Sequence, residues 1–224
     1  VEEVLLAETR PGHGEWTPDR LNLLVYAYNT NAVRAAEVPR RWDDLLAAGW
    51  KGRIGLEKTN VEWFAVLVKA MGEQAGVEFF RRLADNGVAV RTGHNHSAAL
   101  VAAGEIGLML GIYSHDAERY KKKSAPLDWF VLAPAVVLPS AVAVSRRAPH
   151  PHAALLFYDY MLSDGQRFYL EVNRVPASRN YDTPVRRLLE ERQSIRVVNS
   201  LEAIDEYDKW QDLYKRLIVD RSQH

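Results

Sequence analysis

Between Leu21 and Tyr28 the chain reads Leu-Asn-Leu-Leu-Val-Tyr-Ala-Tyr, apolar or aromatic at every position but one. A run of this length and character predicts a β-strand with no solvent face. Such a strand must be covered on both sides, so the fold needs a sheet between two layers. Asn29-Thr30-Asn31 ends it.

The rest of the chain supplies those layers. Trp42–Leu46 predicts a short helix closed by Gly49 and Gly52, and Ile54–Leu56 a short strand. Val61, Phe64, Leu67, Val68 and Met71 recur at helical spacing, with Thr59 or Asn60 as the expected N-cap. A second helix turns Val77, Phe80 and Leu83 inward. Asp85-Asn86-Gly87 is a turn and Val88–Val90 a strand. Ser97 is the expected cap of a helix ended by Gly104, and Ile106–Ile112 is a strand. Further strands are expected at 129–132, 135–138 and 141–144. Pro149–Pro151 opens a helix with Leu155, Leu156 and Leu162 inward. Another helix runs through Phe168 and Leu170, and a charged, mostly helical tail follows Pro184. Strands alternating with helices predict an α/β fold with a mostly parallel sheet. In such folds ligands sit beyond the carboxyl ends of strands, which selects the loops 57–60, 91–97 and 111–116.

Composition narrows the function. Lysine plus arginine and aspartate plus glutamate are equal at 29 each. The basic excess of a nucleic-acid binder is missing, so no nucleic-acid partner is expected. The 224 residues contain no cysteine, which excludes disulfides, thiol catalysis and cysteine-based zinc sites. There is no P-loop, no G-x-G-x-x-G, no G-x-S-x-G and no H-E-x-x-H. The opening Val1-Glu2-Glu3 is unlike a signal peptide.

Four stretches carry a resemblance. Val25-Tyr26-Ala27-Tyr28-Asn29-Thr30 resembles the strand that crosses between lobes in family-1 extracellular (periplasmic) solute-binding proteins of ABC importers. Trp42-Asp43-Asp44-Leu45 with Trp50-Lys51-Gly52-Arg53-Ile54-Gly55 is similar to their W-x-D-L and W-K-G-K-I stretch. Leu100-Val101-Ala102-Ala103-Gly104-Glu105 resembles their V-A-x-G-E helix end. Ser124–Trp129, Ala148–Ala154 and Leu162–Gln166 resemble their G-A-P-V-D-W, A-P-H-P-x-A-A and L-S-x-E-G-Q signature. The four occur in family order over roughly residues 20–180, and the ferric-iron-type subgroup is the most similar.

The resemblance implies a type II periplasmic-binding-protein-like fold: two α/β lobes joined by a hinge, closing on a solute. Residues 1–29 and 136–180 would form the first lobe, 30–135 the second, and 181–224 a helical tail packed on them. The family's opening strand–helix–strand unit has no counterpart in residues 1–20, so the first lobe is expected to be incomplete, and pairing of two copies through it is expected. The implied partners are a small-molecule or metal-ion solute and a membrane permease, in the periplasm or outside the cell. No cofactor is expected; a metal ion or anion enters only as the captured solute.

The resemblance also orders the candidate ligand residues. Tyr113 occupies the position of the subgroup's adjacent ferric-ligand tyrosines, but Ser114 and His115 follow it, so the tyrosine pair is reduced to one. Hard Fe³⁺ favours phenolate oxygens, and the usual ferric set is incomplete here. His94 and Asn95 lie in a polar stretch that would meet the solute, and Thr59 and Asn60 at a junction that could donate to an anion or simply cap a helix. His115, Trp63 and Tyr26 complete the set; the last two either line the cleft or pack in the core. A metal-dependent hydrolase built on His94, His96, His115 and Asp116 is the rival reading, and a sensor or non-transporting remnant a third.

Overall fold

The computed structural model describes residues 9, 11–12, 14–191, 195–197 and 206–223. Its centre is β1 (Thr17–Asn29), longer than the apolar run and buried along nearly its whole length. The other strands are β2 (Ile54–Glu57), β3 (Ala89–Arg91), β4 (Leu108–Tyr113), β5 (Leu127–Phe130), β6 (Ala135–Val142), β7 (Val175–Pro176) and β8 (Ile195–Val197). The α-helices are α1 (Val61–Met71), α2 (Glu73–Asp85), α3 (His94–Ala103), α4 (Ser114–Lys121), α5 (Pro151–Leu162), α6 (Arg167–Glu171), α7 (Pro184–Glu191) and α8 (Tyr207–Tyr214).

Among the described residues all eight strands join one sheet with the path β3-β2-β4-β1-β6-β8, and β5 and β7 also pair with β1. The length of β1 makes this possible. Its residues 24–28 pair with β4 and 26–29 with β5, while 17–24 pair with β6 and 20–21 with β7. Among the described strands parallel pairing is confined to β2 with β3, β2 with β4, and β6 with β8. The expected mostly parallel sheet is therefore mixed, because β1 runs antiparallel to four partners.

Alternation along β1 divides its side chains between two cores. Leu24 and Tyr26 enter one with Leu56, Phe64, Phe80, Trp210 and Tyr214. Leu21, Leu23, Val25 and Ala27 enter the other with Val101, Ile112 and Val137. This is the period-two logic of a strand buried on both faces. On the first face α1 and α2 meet at Gly76, where an added Cβ would lie 2.6 Å from the Val68 Cα.

Several local expectations change. Ser97 caps nothing: α3 begins at His94 after Gly93, whose φ of 94° suits glycine. Asn60 precedes α1 but makes no side-chain cap bond; its Nδ2 donates to β4 instead. The strands expected at 135–138 and 141–144 are one, β6, running through Pro139. The tail contains β8 as well as helices. On α5 only Leu162 is buried; Leu155 and Leu156 are 53% and 73% exposed.

Candidate functional site

The three loops chosen from the sequence are fastened to one another. Glu57, the last residue of β2, is fully buried. Its Oε2 accepts hydrogen bonds from the Thr59 backbone N–H and hydroxyl, both at 2.6 Å, and its Oε1 accepts from the Gly93 N–H at 2.9 Å. One carboxylate thus ties the β2–α1 junction to the turn that starts α3. Asn60 Nδ2 donates to the Gly111 carbonyl at 2.6 Å and ties the same junction to β4. Arg119 on α4 donates to Asn95 Oδ1 at 2.8 Å and lies 3.1 Å from Asp116 Oδ1, linking α4 to α3.

Gly111 decides which way the end of β4 faces. The register between β1 and β4 slips there, since Val25 pairs with Ile112 and Tyr26 with Leu110. Gly111 is the extra residue of a bulge, at φ 75°. Before it, Leu108 and Leu110 share one core and Met109 enters the other. After it, Ile112 joins the core of Met109, and Tyr113 borders the core of Leu110. The bulge therefore sets Tyr113 on the same side as Asn60. A Cβ at position 111 would fall 2.3 Å from Asn60 Nδ2.

Three rings lie together at this point. The His94 and Tyr113 centroids are 3.9 Å apart, and Tyr113 stacks on His115 at 5.3 Å with planes 13° apart. Burial pushes the His94 pKa down, against the opposing charges of Glu57 and Asp116. His94 Nδ1 is buried without a hydrogen-bond partner. Burial also raises the Tyr113 pKa, helped by Glu62, Glu57 and Asp116 and opposed by Arg174. His115 is pushed down to about 3, first by burial and then by Arg174, Arg119, His94 and Arg20. Its 3.9 Å approach to Asp116 is therefore contact with a neutral imidazole at pH 7, not an ion pair. The cluster presents neutral rings with three guanidinium groups, Arg174, Arg119 and Arg20, and three carboxyl groups, Glu57, Glu62 and Asp116, in their surroundings.

Of the expected residues, the structure brings together Thr59, Asn60, His94, Asn95, Tyr113 and His115. Trp63 and Tyr26 go elsewhere. Each is 1% exposed, and Trp63 Nε1 donates to the Tyr26 hydroxyl at 3.4 Å inside an aromatic core with Trp42, Phe80 and Phe130. Trp63 stands four residues before Leu67 on the inward stripe of α1, so helical periodicity sends it to the core. The hydrolase cluster does not assemble: His96 is exposed on α3, and among the described residues no three His, Cys, Asp or Glu side chains are placed to hold a metal ion. Glu57 and Arg119 are the site residues that sequence reasoning missed. For Glu57 a signal existed, an acidic residue ending the apolar strand Ile-Gly-Leu-Glu just before a helix.

Residues 3–203 match the family described as bacterial extracellular solute-binding protein. The chain belongs to that family. Among solved structures, this solute-binding protein is similar to iron-bound HitA from Pseudomonas aeruginosa, at TM-score 0.79 and 21% identity, over 96% of this chain and 73% of that one. It is also similar to the apo ferric ion-binding protein A of Pasteurella haemolytica, at 0.76 and 18%, over 96% and 73%. At these identities the likeness carries the fold. A curated relative, the Fe(3+)-binding periplasmic protein of Serratia marcescens, is 27% identical over 100 residues, 43% of this chain; the match spans only 29% of that protein's length.

Proposed function

We propose that this chain is the periplasmic solute-capturing component of an ABC importer, holding a small anionic or metal-complexed solute where the three junctions meet and passing it to a membrane permease. The observation that carries this reading is the convergence itself. Glu57, Asn60 and Arg119 fix three strand-to-helix junctions around the ring group of His94, Tyr113 and His115. Carboxyl ends of strands and N-termini of helices meet there, the place where α/β sheets hold ligands. The ferric proteins among the relatives favour an iron complex as one candidate. The lone Tyr113, with Arg174, Arg119 and Arg20 near His115, supports an anion as the other.

In this reading β1 is the connection between lobes. Its first half, with β6 and β7, belongs to residues 1–29 and 136–180, and its second half packs on the lobe of residues 30–135. Closure follows from differential affinity, with solute bound more tightly by the closed state than by the open one. The site residues act by binding and orienting, and no reaction is assigned to them.

The test is thermal stabilisation across ferric complexes, divalent metals, phosphate, sugar phosphates, polyamines and small carboxylates. A bound ligand at a hundred times its Kd adds ~2.7 kcal/mol. With the stabilising ligand in hand, Tyr113→Phe combined with His94→Ala should weaken binding at least tenfold, about 1.4 kcal/mol. Unchanged affinity in calorimetry refutes the placement of the site.

A further inference from the structure

The loops of the solute site are held by groups that sit behind them. We infer that Glu57 and Tyr214 are positioning residues: Glu57 sets the spacing of the two loops that meet the solute, and Tyr214 on α8 fixes Glu57. The inference rests on the solute-binding reading for its ligand and goes beyond it in making affinity depend on a helix far along the chain.

The geometry is specific. The Glu57 side chain accepts three bonds, two from Thr59 and one from Gly93. Its backbone carbonyl accepts a fourth, from the Tyr214 hydroxyl at 2.6 Å, between residues 157 positions apart. Glu57 is thus held from α8 by its main chain while its side chain holds the β2–α1 and β3–α3 loops. A fully buried carboxylate is costly unless its bonds are made, and an apolar side chain would fill the same space at the end of an otherwise apolar strand. What the carboxylate adds is the tie between Thr59, in one loop, and Gly93, the residue next to His94, in the other.

Tyr214 reaches this position as part of the core. Its ring is 1% exposed and lies 5.1 Å from that of Phe64 on α1. Burial raises the Tyr214 pKa, so the hydroxyl keeps its proton and remains a donor. The aromatic packing secures the helix, and the hydroxyl is then available to set the strand end. Tyr214→Phe removes the hydroxyl and keeps the packing. Glu57→Gln keeps the shape but turns one acceptor oxygen into an amide NH₂, which cannot accept from Thr59 or Gly93.

The experiment compares the unchanged chain with Glu57→Gln, Tyr214→Phe and a packing control, Phe80→Leu. Each is titrated by calorimetry with ferric citrate, inorganic phosphate and fructose 6-phosphate, and melting temperature and amide exchange over residues 57–60 and 91–97 are measured. Glu57→Gln should weaken whichever probe the unchanged chain binds at least tenfold and speed exchange at Gly93. Tyr214→Phe should weaken it about threefold. Phe80→Leu should lower the melting temperature without moving the Kd. Binding by Glu57→Gln within twofold of the unchanged chain, or a loss equal to that of Phe80→Leu, overturns the inference and leaves the solute-binding reading standing. Failure of the unchanged chain to bind any of these probes or any other member of the ligand panel removes both.

Discussion

His115 shows how one residue reports the character of the site. Its imidazole is 4% exposed, and burial together with Arg174, Arg119, His94 and Arg20 pushes its pKa from an ordinary 6.5 to about 3. Asp116, at 3.9 Å, is the acidic group beside it, and the Tyr113 ring stacks on it. In the unfolded chain the same imidazole takes a proton near pH 6.5. Between pH 6.5 and about 3 the unfolded state therefore binds a proton that the native state does not. Stability falls as pH drops through that window, by at most ~1.4 kcal/mol per pH unit for one group. His115→Gln should flatten this dependence, and the measurement is the urea midpoint from pH 7 to pH 4. Equal slopes in the two proteins would show that His115 protonates as readily in the native state as in the unfolded one.

At the scale of elements, the contact between α1 and α2 is set by Gly76. A Cβ there would meet the backbone of Val68 at 2.6 Å, and backbone cannot yield as a flexible side-chain tip can. Gly76→Ala should push the helices apart and cost about 1–3 kcal/mol, as overpacking does, a drop of several degrees in melting temperature by calorimetry; an unchanged melting temperature would contradict the packing. Which elements were legible in the sequence follows the same physics. The strand β1 was legible because a surface without polar positions admits few alternatives, and α1 because Val61, Phe64, Leu67 and Val68 keep helical period. The start of α3 was not, because Ser97 has the look of a cap while the residue just before the helix is a glycine chosen for its backbone. The loops of the site were legible from topology alone. Their fastening was not, since the bonds from Glu57 to Gly93 and from Tyr214 to Glu57 join residues whose spacing in sequence carries no signal. Gly111 was hidden for a related reason: a bulge is defined by a partner strand, and only the register against β1 reveals the extra residue.

At the scale of the whole molecule, apolar residues are unequally covered. The β-sheet buries aromatic and aliphatic cores on both faces, whereas α5, α6 and the residue after it carry Leu155, Leu156, Phe157, Tyr160, Phe168, Leu170 and Val172 on the surface, the large exposed apolar residues among those described. Leu155 and Leu156 follow the periodicity of buried residues, and periodicity records which face is apolar without recording what lies against it. An apolar patch gathered on consecutive elements is unusual on a monomer and drives association. The chain in solution should therefore self-associate, with sedimentation velocity showing a concentration-dependent shift beyond the monomer. Leu156→Ser with Phe157→Ser should return it toward the monomer without lowering the melting temperature, because neither side chain contributes to a buried core. A monomer at every concentration would mean that exposure of these helices is tolerated. Association that persists in the double variant would move the contact to another surface.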